Sequence, residues 1–99
     1  MNKGGYTYIL TNDHHTVLYT GATSELKIRI WQHRTKAFPF SFTAKYNCHK
    51  LVWFEDFPTI ISAIDREKQL KSWNRKRKED LINGSNPQWR DLWEVLQDW

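Results

Sequence analysis

Cysteine is nearly absent: Cys48 is the only one among 99 residues. A lone thiol excludes an internal disulfide and fits a reducing cytosol, so the expected location is the cytoplasm. No apolar run approaches the length of a membrane span, and the N-terminus has no signal-peptide hydrophobic region. Neither a membrane-embedded nor a secreted protein is expected. Repeats, low-complexity tracts and linkers are missing too, which leaves one domain over residues 1–99, built around one core. There is no P-loop, no CxxC pair, no HExxH and no GxSxG. Nucleotide hydrolysis, zinc chemistry and serine-type catalysis therefore have no support.

Large aromatic side chains are present in quantity. Six Trp and five Phe, within a hydrophobic content of 39%, supply enough buried area per residue for so short a chain to fold alone. Acidic residues are outnumbered by basic ones, 11 to 15, and the net charge of +4 suggests an anionic partner.

The first part of the chain reads as a hairpin after a loose lead-in over residues 1–5. Tyr6–Leu10 is strand-like, Asn12–His15 is a polar turn, and a second strand runs over about 16–20. A four-residue loop would set Thr11 opposite Thr16 and hence Tyr8 opposite Tyr19, on one face of the sheet. Two cross-strand tyrosines are more often a packing pair than a chemical one. His14 and His15 sit at the turn tip without a second ligand cluster and read as solvated.

Gly21 breaks the second strand in this reading and makes a tight turn into a helix. Thr23 or Ser24 would cap that helix, with Glu25 in its first turn. Leu26 and Ile30 mark its buried stripe. Arg29 and His33, spaced i, i+4, point the same way beside that stripe. Tyr19, Arg29 and His33 can thus converge where the strand hands over to the helix.

Lys36–Asn47, with Phe38-Pro39-Phe40-Ser41-Phe42, is too irregular for an element and reads as a loop. Its aromatic and basic residues, Lys45 among them, could touch a nucleic-acid strand, or its Phe side chains could plug the core edge. Leu51–Phe54 is apolar throughout and reads as a central strand. Thr59 then caps a helix reaching about Trp73, with Ile60, Ile64, Leu70 and Trp73 on its inward stripe.

Glu67 falls on that same stripe. An ionised carboxylate on an apolar face needs a cation or a wet cleft, so it is either paired with an arginine or a metal-binding or catalytic group. Arg66, Lys68, Lys71, Arg75, Lys76, Arg77 and Lys78 crowd the end of this helix and the following turn. They form either a solvated helical face or a patch suited to phosphates. A short helix follows to about Asn83, stopped by Gly84. Asn86 and Pro87 read as N-cap and N1 of a last helix, with Trp89, Leu92, Trp93 and Leu96 as its core stripe. The order β-β-α-β-α-α-α implies an α+β fold: a small three-stranded antiparallel sheet flanked by helices.

Tyr6-Thr7-Tyr8, Tyr19-Thr20-Gly21, Arg29, His33 and the segment Arg66-Glu67-Lys68-Gln69-Leu70-Lys71 follow one another in a recognisable order and spacing. With these the chain resembles the GIY-YIG nuclease superfamily. Asn86-Pro87-Gln88-Trp89-Arg90-Asp91-Leu92 is similar to the tail of its small stand-alone bacterial members. Tyr6 and Thr7 replace the usual glycine and isoleucine of the first motif, and Thr20 replaces the middle residue of the second. Where the excinuclease branch has a lysine after the glycine, this chain has Ala22, with Lys27 and Lys45 as candidate substitutes.

The resemblance implies phosphodiester hydrolysis with one divalent ion, Mg²⁺ or Mn²⁺, held by Glu67. It gives Arg29 the phosphoryl charge, and Tyr19 the attacking water with help from Tyr8 or His33. Lys45, Lys71, Arg75, Lys76 and Arg77 become the candidate nucleic-acid contacts. DNA is the expected partner, with branched and single-stranded forms among the candidates. At this size specificity should come from DNA structure, a homodimer or a partner protein. A catalytically weak binding module of the same fold, or a protein-interaction domain, is the alternative.

Overall fold

The computed structural model describes residues 4–99; the first three residues of the expected lead-in lie outside it, and Gly5 already belongs to a strand. The elements in chain order are β1 (Gly5–Thr11), β2 (Leu18–Thr23), α1 (Leu26–Arg34), α2 (Phe42–Lys45), β3 (Lys50–Phe57), α3 (Ile60–Lys71), α4 (Arg75–Ser85) and α5 (Trp93–Leu96). The three strands form one antiparallel sheet in the order β2-β1-β3, with helices on both faces. This is the α+β sheet expected from the sequence, with one added helical turn, α2, inside the segment read as irregular.

The hairpin register differs from expectation by two residues. Thr11 faces Leu18, Leu10 faces Tyr19, and Tyr8 faces Gly21. The loop is longer than four residues because Asn12 organises it: its Oδ1 accepts the Thr16 and Val17 N–H groups at 2.8 and 3.3 Å, and its amide donates to Thr16 Oγ1 at 2.6 Å. A shift by an even number leaves every side chain on its original face. Tyr8 and Tyr19 therefore still share a face, diagonally rather than directly opposed.

β1, not β3, is the central strand. The apolar run in β3 has two other causes. A bulge lets Ile9 face Trp53 while Leu10 faces Leu51, so Val52 and Trp53 both turn to the same face. The outer edge of β3 is then covered by the C-terminal tail. Leu92 N–H donates to the Leu51 carbonyl at 2.7 Å, Asp91 Oδ1 accepts the Leu51 N–H at 3.3 Å, and the Asn86 amide donates to the Val52 carbonyl at 3.0 Å. At Leu51 and Val52 the edge is thus met by the tail and closed to a further strand.

Each face of the sheet carries its own apolar cluster. Tyr8, Leu10 and Leu51 pack with Leu26 and Ile30 of α1, Cys48 and Leu96. On the other face Ile9, Val52 and Trp53 pack with Leu70 of α3 and Ile82 of α4. Thr59 caps α3 as expected, accepting the Ser62 N–H at 3.1 Å, and Thr7 Oγ1 donates to the Ala63 carbonyl at 2.7 Å to pin that helix to β1. The buried stripe of α3 is Ala63 and Leu70; Ile64 is exposed, a correction to the predicted stripe. Glu67 lies between the two buried positions at the i, i+4, i+7 spacing and remains on the inward side.

Three boundaries differ from the sequence reading. β2 continues through Gly21 to Thr23, and α1 begins after Glu25, whose own N–H is held by Thr23 Oγ1 at 3.0 Å. α4 runs through Gly84, which adopts an ordinary helical conformation, and ends at Asn86. The expected last helix is reduced to Trp93–Leu96. Asn86 is instead a buried knot, bonded to Val52 and to both backbone groups of Arg90, and Trp89 sits at φ 52°. Trp89 accordingly packs on the α3/α4 side, while Leu92, Trp93 and Leu96 pack on the α1 side.

Thr20 is buried in β2, and its hydroxyl has no hydrogen-bond partner among the described residues. Replacing it with an isosteric apolar residue removes that desolvation cost. Thr20→Val should raise stability by about 1 kcal/mol, a melting-temperature gain of roughly 4–8 °C for a chain of this size. A drop in the melting temperature would show that the hydroxyl is satisfied.

Candidate active site

The site begins with a clearance between two strands. Gly21 of β2 lies opposite Tyr8 of β1, and a Cβ built on Gly21 would sit 2.5 Å from both Cζ and Oη of Tyr8. No glycine in the described chain has positive φ, so Gly21 is required for space and not for backbone conformation. The phenol of Tyr8 lies across the bare backbone of β2 in the room this leaves.

That hydroxyl meets His33 of α1, with Tyr8 Oη 2.9 Å from His33 Nε2. The other ring nitrogen, Nδ1, is 2.8 Å from Thr43 Oγ1 of α2, and Thr43 in turn lies 3.3 Å from Ser41 Oγ. Arg29, one turn before His33, shares a cleft of about 270 Å³ with Tyr19, His33, Phe38, Ser41, Phe42 and Thr43. The Tyr19 ring stands 6.4 Å from Tyr8 and 5.7 Å edge-on from His33, and it stacks on Phe42 at 5.8 Å and 27°.

Burial dominates the electrostatics. It raises the Tyr8 phenol well above the usual tyrosine range; the nearby Tyr19 and Glu67 charges add to this, and Arg29 opposes it. Burial, helped by Arg29, pushes His33 down to about 4. At neutral pH Tyr8 is a protonated phenol and His33 a neutral imidazole, with one donor and one acceptor nitrogen between two hydroxyls.

Glu67 stands on α3, and its charge adds to the upward shift of the Tyr8 phenol. Its side chain is 19% exposed, and Lys71, one turn on, bonds it at 3.1 Å. Its partner is thus a lysine of its own helix, not the arginine considered from sequence. Among the described residues no three His, Cys, Asp or Glu side chains gather as a metal cage. A single half-buried carboxylate does suit Mg²⁺, which keeps most of its waters and takes one or two protein oxygens. The donor set fits such an ion with Glu67 as the protein ligand.

The structure therefore brings Tyr8, Tyr19, Arg29 and His33 together, while Glu67 stands on α3 outside the residues that line the cleft. The basic candidates divide. Lys45 is on α2, whose Phe42 and Thr43 line the cleft, and Lys71 is bound to Glu67. Arg75 is elsewhere: it lines a separate 390 Å³ cleft and binds the His15 and Thr16 carbonyls and Glu79. Lys76 pairs with Asp80 at 2.8 Å, and Arg77 lies 4.1 Å over the Trp73 ring. Lys27 is turned to the backbone oxygens of Gln97 and Trp99, which leaves Lys45 as the lysine beside the cleft. His15 is not simply solvated: its ring packs tilted against Trp89 at 4.8 Å, and its Nε2 is 3.0 Å from Lys50 Nζ.

Sequence reasoning missed Thr43 and Phe42 as members of the site. Ser41 before Phe42-Thr43-Ala44-Lys45 carries a capping signature, since its hydroxyl accepts the Ala44 N–H. Nothing in the spacing, however, aims Thr43 at His33.

The model of the GIY-YIG catalytic domain matches residues 4–80. A UPF0213 protein of Haloquadratum walsbyi is 33% identical over 81 residues, covering 82% of this chain and 89% of its own length. A UPF0213 protein of Syntrophus aciditrophicus is 32% identical over 83 residues, covering 84% and 93%. The solution NMR structure of a UPF0213 protein from Bacillus halodurans is similar with a TM-score of 0.56 and 26% identity, over 89% of this chain and 92% of that one.

The position of His33 makes stability depend on pH. The unfolded chain binds a proton on this ring near pH 6.5, whereas the folded one binds it near 4. The unfolded state holds more protons between those values, so stability is greatest above about 6.5 and declines as pH falls toward 4. His33→Asn should flatten that decline in thermal melts, leaving the smaller share of His15, whose pKa is also lowered. An equally steep decline in the variant would place the titrating group elsewhere.

Proposed function

This chain belongs to the GIY-YIG catalytic-domain family, and from that membership we propose that it is a metal-dependent endonuclease hydrolysing DNA phosphodiester bonds, directed by substrate structure with low sequence specificity. One observation carries the reading: Tyr19 of β2 and Arg29 and His33 of α1, far apart in sequence, line one cleft, and Tyr8 of β1 bonds His33 behind it. A packing pair of tyrosines would not need the arginine.

In this reading Arg29 carries the charge of the phosphoryl oxygens within the cleft. Tyr19, at the cleft wall, holds the attacking water at its phenol oxygen. Tyr8 stays protonated and bonded to the neutral His33, whose other nitrogen is held by Thr43, so the imidazole fixes the phenol in place beside the cleft. Glu67 would hold one Mg²⁺ or Mn²⁺, which when bound polarises the scissile phosphate and stabilises the leaving oxygen. Lys45 and Lys71 lie nearest the site among the proposed DNA contacts, with Arg75, Lys76 and Arg77 flanking more distantly and partly neutralised.

The whole of residues 1–99 would act as one such domain in the cytoplasm, because the tail after residue 80 meets the β3 edge instead of standing apart. Substrate choice by this domain would rest on DNA geometry, a second copy or a partner protein. The Lys71 ammonium on Glu67 favours the other reading, a binding module that has given up its metal. Lys71 is 54% exposed, and an ion pair so open to water is readily exchanged.

Glu67→Gln separates the two. It keeps the shape and removes the charge, so stability should change by less than about 1 kcal/mol, while Mg²⁺-dependent nicking of branched, flapped and plain DNA should be lost. A variant that nicks normally would end the metal-site assignment.

Tyr19→Phe removes a hydroxyl from a ring held by stacking on Phe42. The fold should be unaffected, and nicking should fall by about a hundredfold or more. Equal nicking by Tyr19→Phe and wild type would return the tyrosine pair to a packing role.

A further inference from the structure

The loop from Lys36 to Asn47 is closed at its base and open at its top. Lys36 and Asn47 both adopt left-handed backbone, at φ 53° and 57°, and Lys36 Nζ bonds Asn47 Oδ1 at 2.6 Å across the neck. Between these ends stand Phe38, Phe40, Phe42 and Tyr46, exposed by 53, 100, 47 and 40%. Phe40 is fully exposed, so it is not the core plug considered from sequence. Such exposure costs hydration free energy with no return in folding.

The exposed rings are continuous with the cleft. Phe38 and Phe42 line it, Tyr19 stacks on Phe42, Phe42 lies 4.6 Å from Tyr46, and Lys45 Nζ stands 5.3 Å over the Tyr46 ring. Aromatic rings interleaved with cations beside a cationic cleft match the chemistry of a single strand: bases stack on rings while phosphates follow the positive charges. A paired duplex keeps its base faces covered and gains nothing from the rings.

We propose that this loop is a stacking platform for unpaired bases of a single-stranded nucleic acid, next to the phosphodiester held in the cleft. The proposal rests on the phosphodiester reading of that cleft, and it names the substrate class: strands with unpaired bases at the point of attack. Thr43 connects the platform to the site, since it belongs to the same loop and bonds His33.

The test is binding without cleavage. Fluorescence anisotropy in chelator, at fixed salt, compares a labelled twelve-nucleotide single strand of DNA, the same sequence in RNA, and a blunt DNA duplex. Wild type should bind the single strands more tightly than the duplex. Phe40→Ala should weaken single-strand binding about fivefold or more, and Phe38→Ala with Phe40→Ala further, with duplex binding and melting temperature unchanged; Phe40→Trp should restore it. Equal affinity for single strand and duplex in wild type, or no change in either Phe variant, would overturn the platform. So would a concentration-dependent dimer that Phe40→Ala dissolves while single-strand binding stays intact, because the patch would then belong to a second copy. Phe-dependent single-strand binding by a wild-type protein that fails to nick with Mg²⁺ would sink the catalytic reading and leave the platform standing.

Discussion

The close approach of Tyr8 to Gly21 is the constraint on which the site depends. A phenol can lie across a neighbouring strand only where that strand carries no Cβ, and the 2.5 Å clearance leaves no room for one. Once there, the hydroxyl is far enough over β2 to meet His33, and the imidazole is far enough from water to stay neutral. The sheet, α1 and the α2 turn are locked together by one chain of polar contacts, Tyr8 to His33 to Thr43. Such a chain is costly to leave half satisfied, so it fixes one arrangement.

The two faces of the sheet divide the labour. The α1 face holds the tyrosines, His33 and the cleft; the α3/α4 face holds the apolar packing of Ile9, Val52, Trp53, Leu70 and Ile82. Glu67 belongs to a helix of the packing face, yet its charge is felt by a phenol on the other. α3 lies along β1 and β2, fixed to β1 by the bond from Thr7, and β2 is the edge strand. The β2 edge thus separates α3 from the cleft, whereas the β3 edge is met by the tail at Leu51 and Val52.

Much of this was legible in the residues, and the failures have definite causes. The strand character of β1, the i, i+4 pair in α1 and the cap at Thr59 are local signals, and each appears as read. The tyrosines were placed on one face from the wrong register, and the result survived because an error of two preserves the pleat. The apolar run in β3 suggested a central strand, but a bulge and a covering tail make an edge strand equally apolar. Gly21 signalled a turn because glycine usually breaks strands; its true reason, a ring crossing from the neighbouring strand, is a tertiary fact. The stripe read through Trp89, Leu92, Trp93 and Leu96 fits a helix, yet Asn86 and the left-handed Trp89 split it between two clusters.

Charge was the least legible feature. The run from Arg66 to Lys78 looks like one phosphate-binding face, but in three dimensions most of its members are already engaged. Arg66 binds Glu55 and Gln69, Lys71 binds Glu67, Arg75 binds Glu79 and the hairpin tip, Lys76 binds Asp80, and Arg77 lies over Trp73. A cation satisfied by its own helix attracts a distant anion weakly, and salt weakens it further. Arg29, by contrast, has no ion pair among the described residues and faces the cleft. A phosphate entering that cleft would meet a cation that pairs with no carboxylate among the described residues, beside exposed aromatic rings. Net charge counts residues, whereas a polyanion responds only to cations left unneutralised. On that measure the proposed nucleic-acid surface is the cleft of Arg29 with the neighbouring Lys45 loop, not the basic helix.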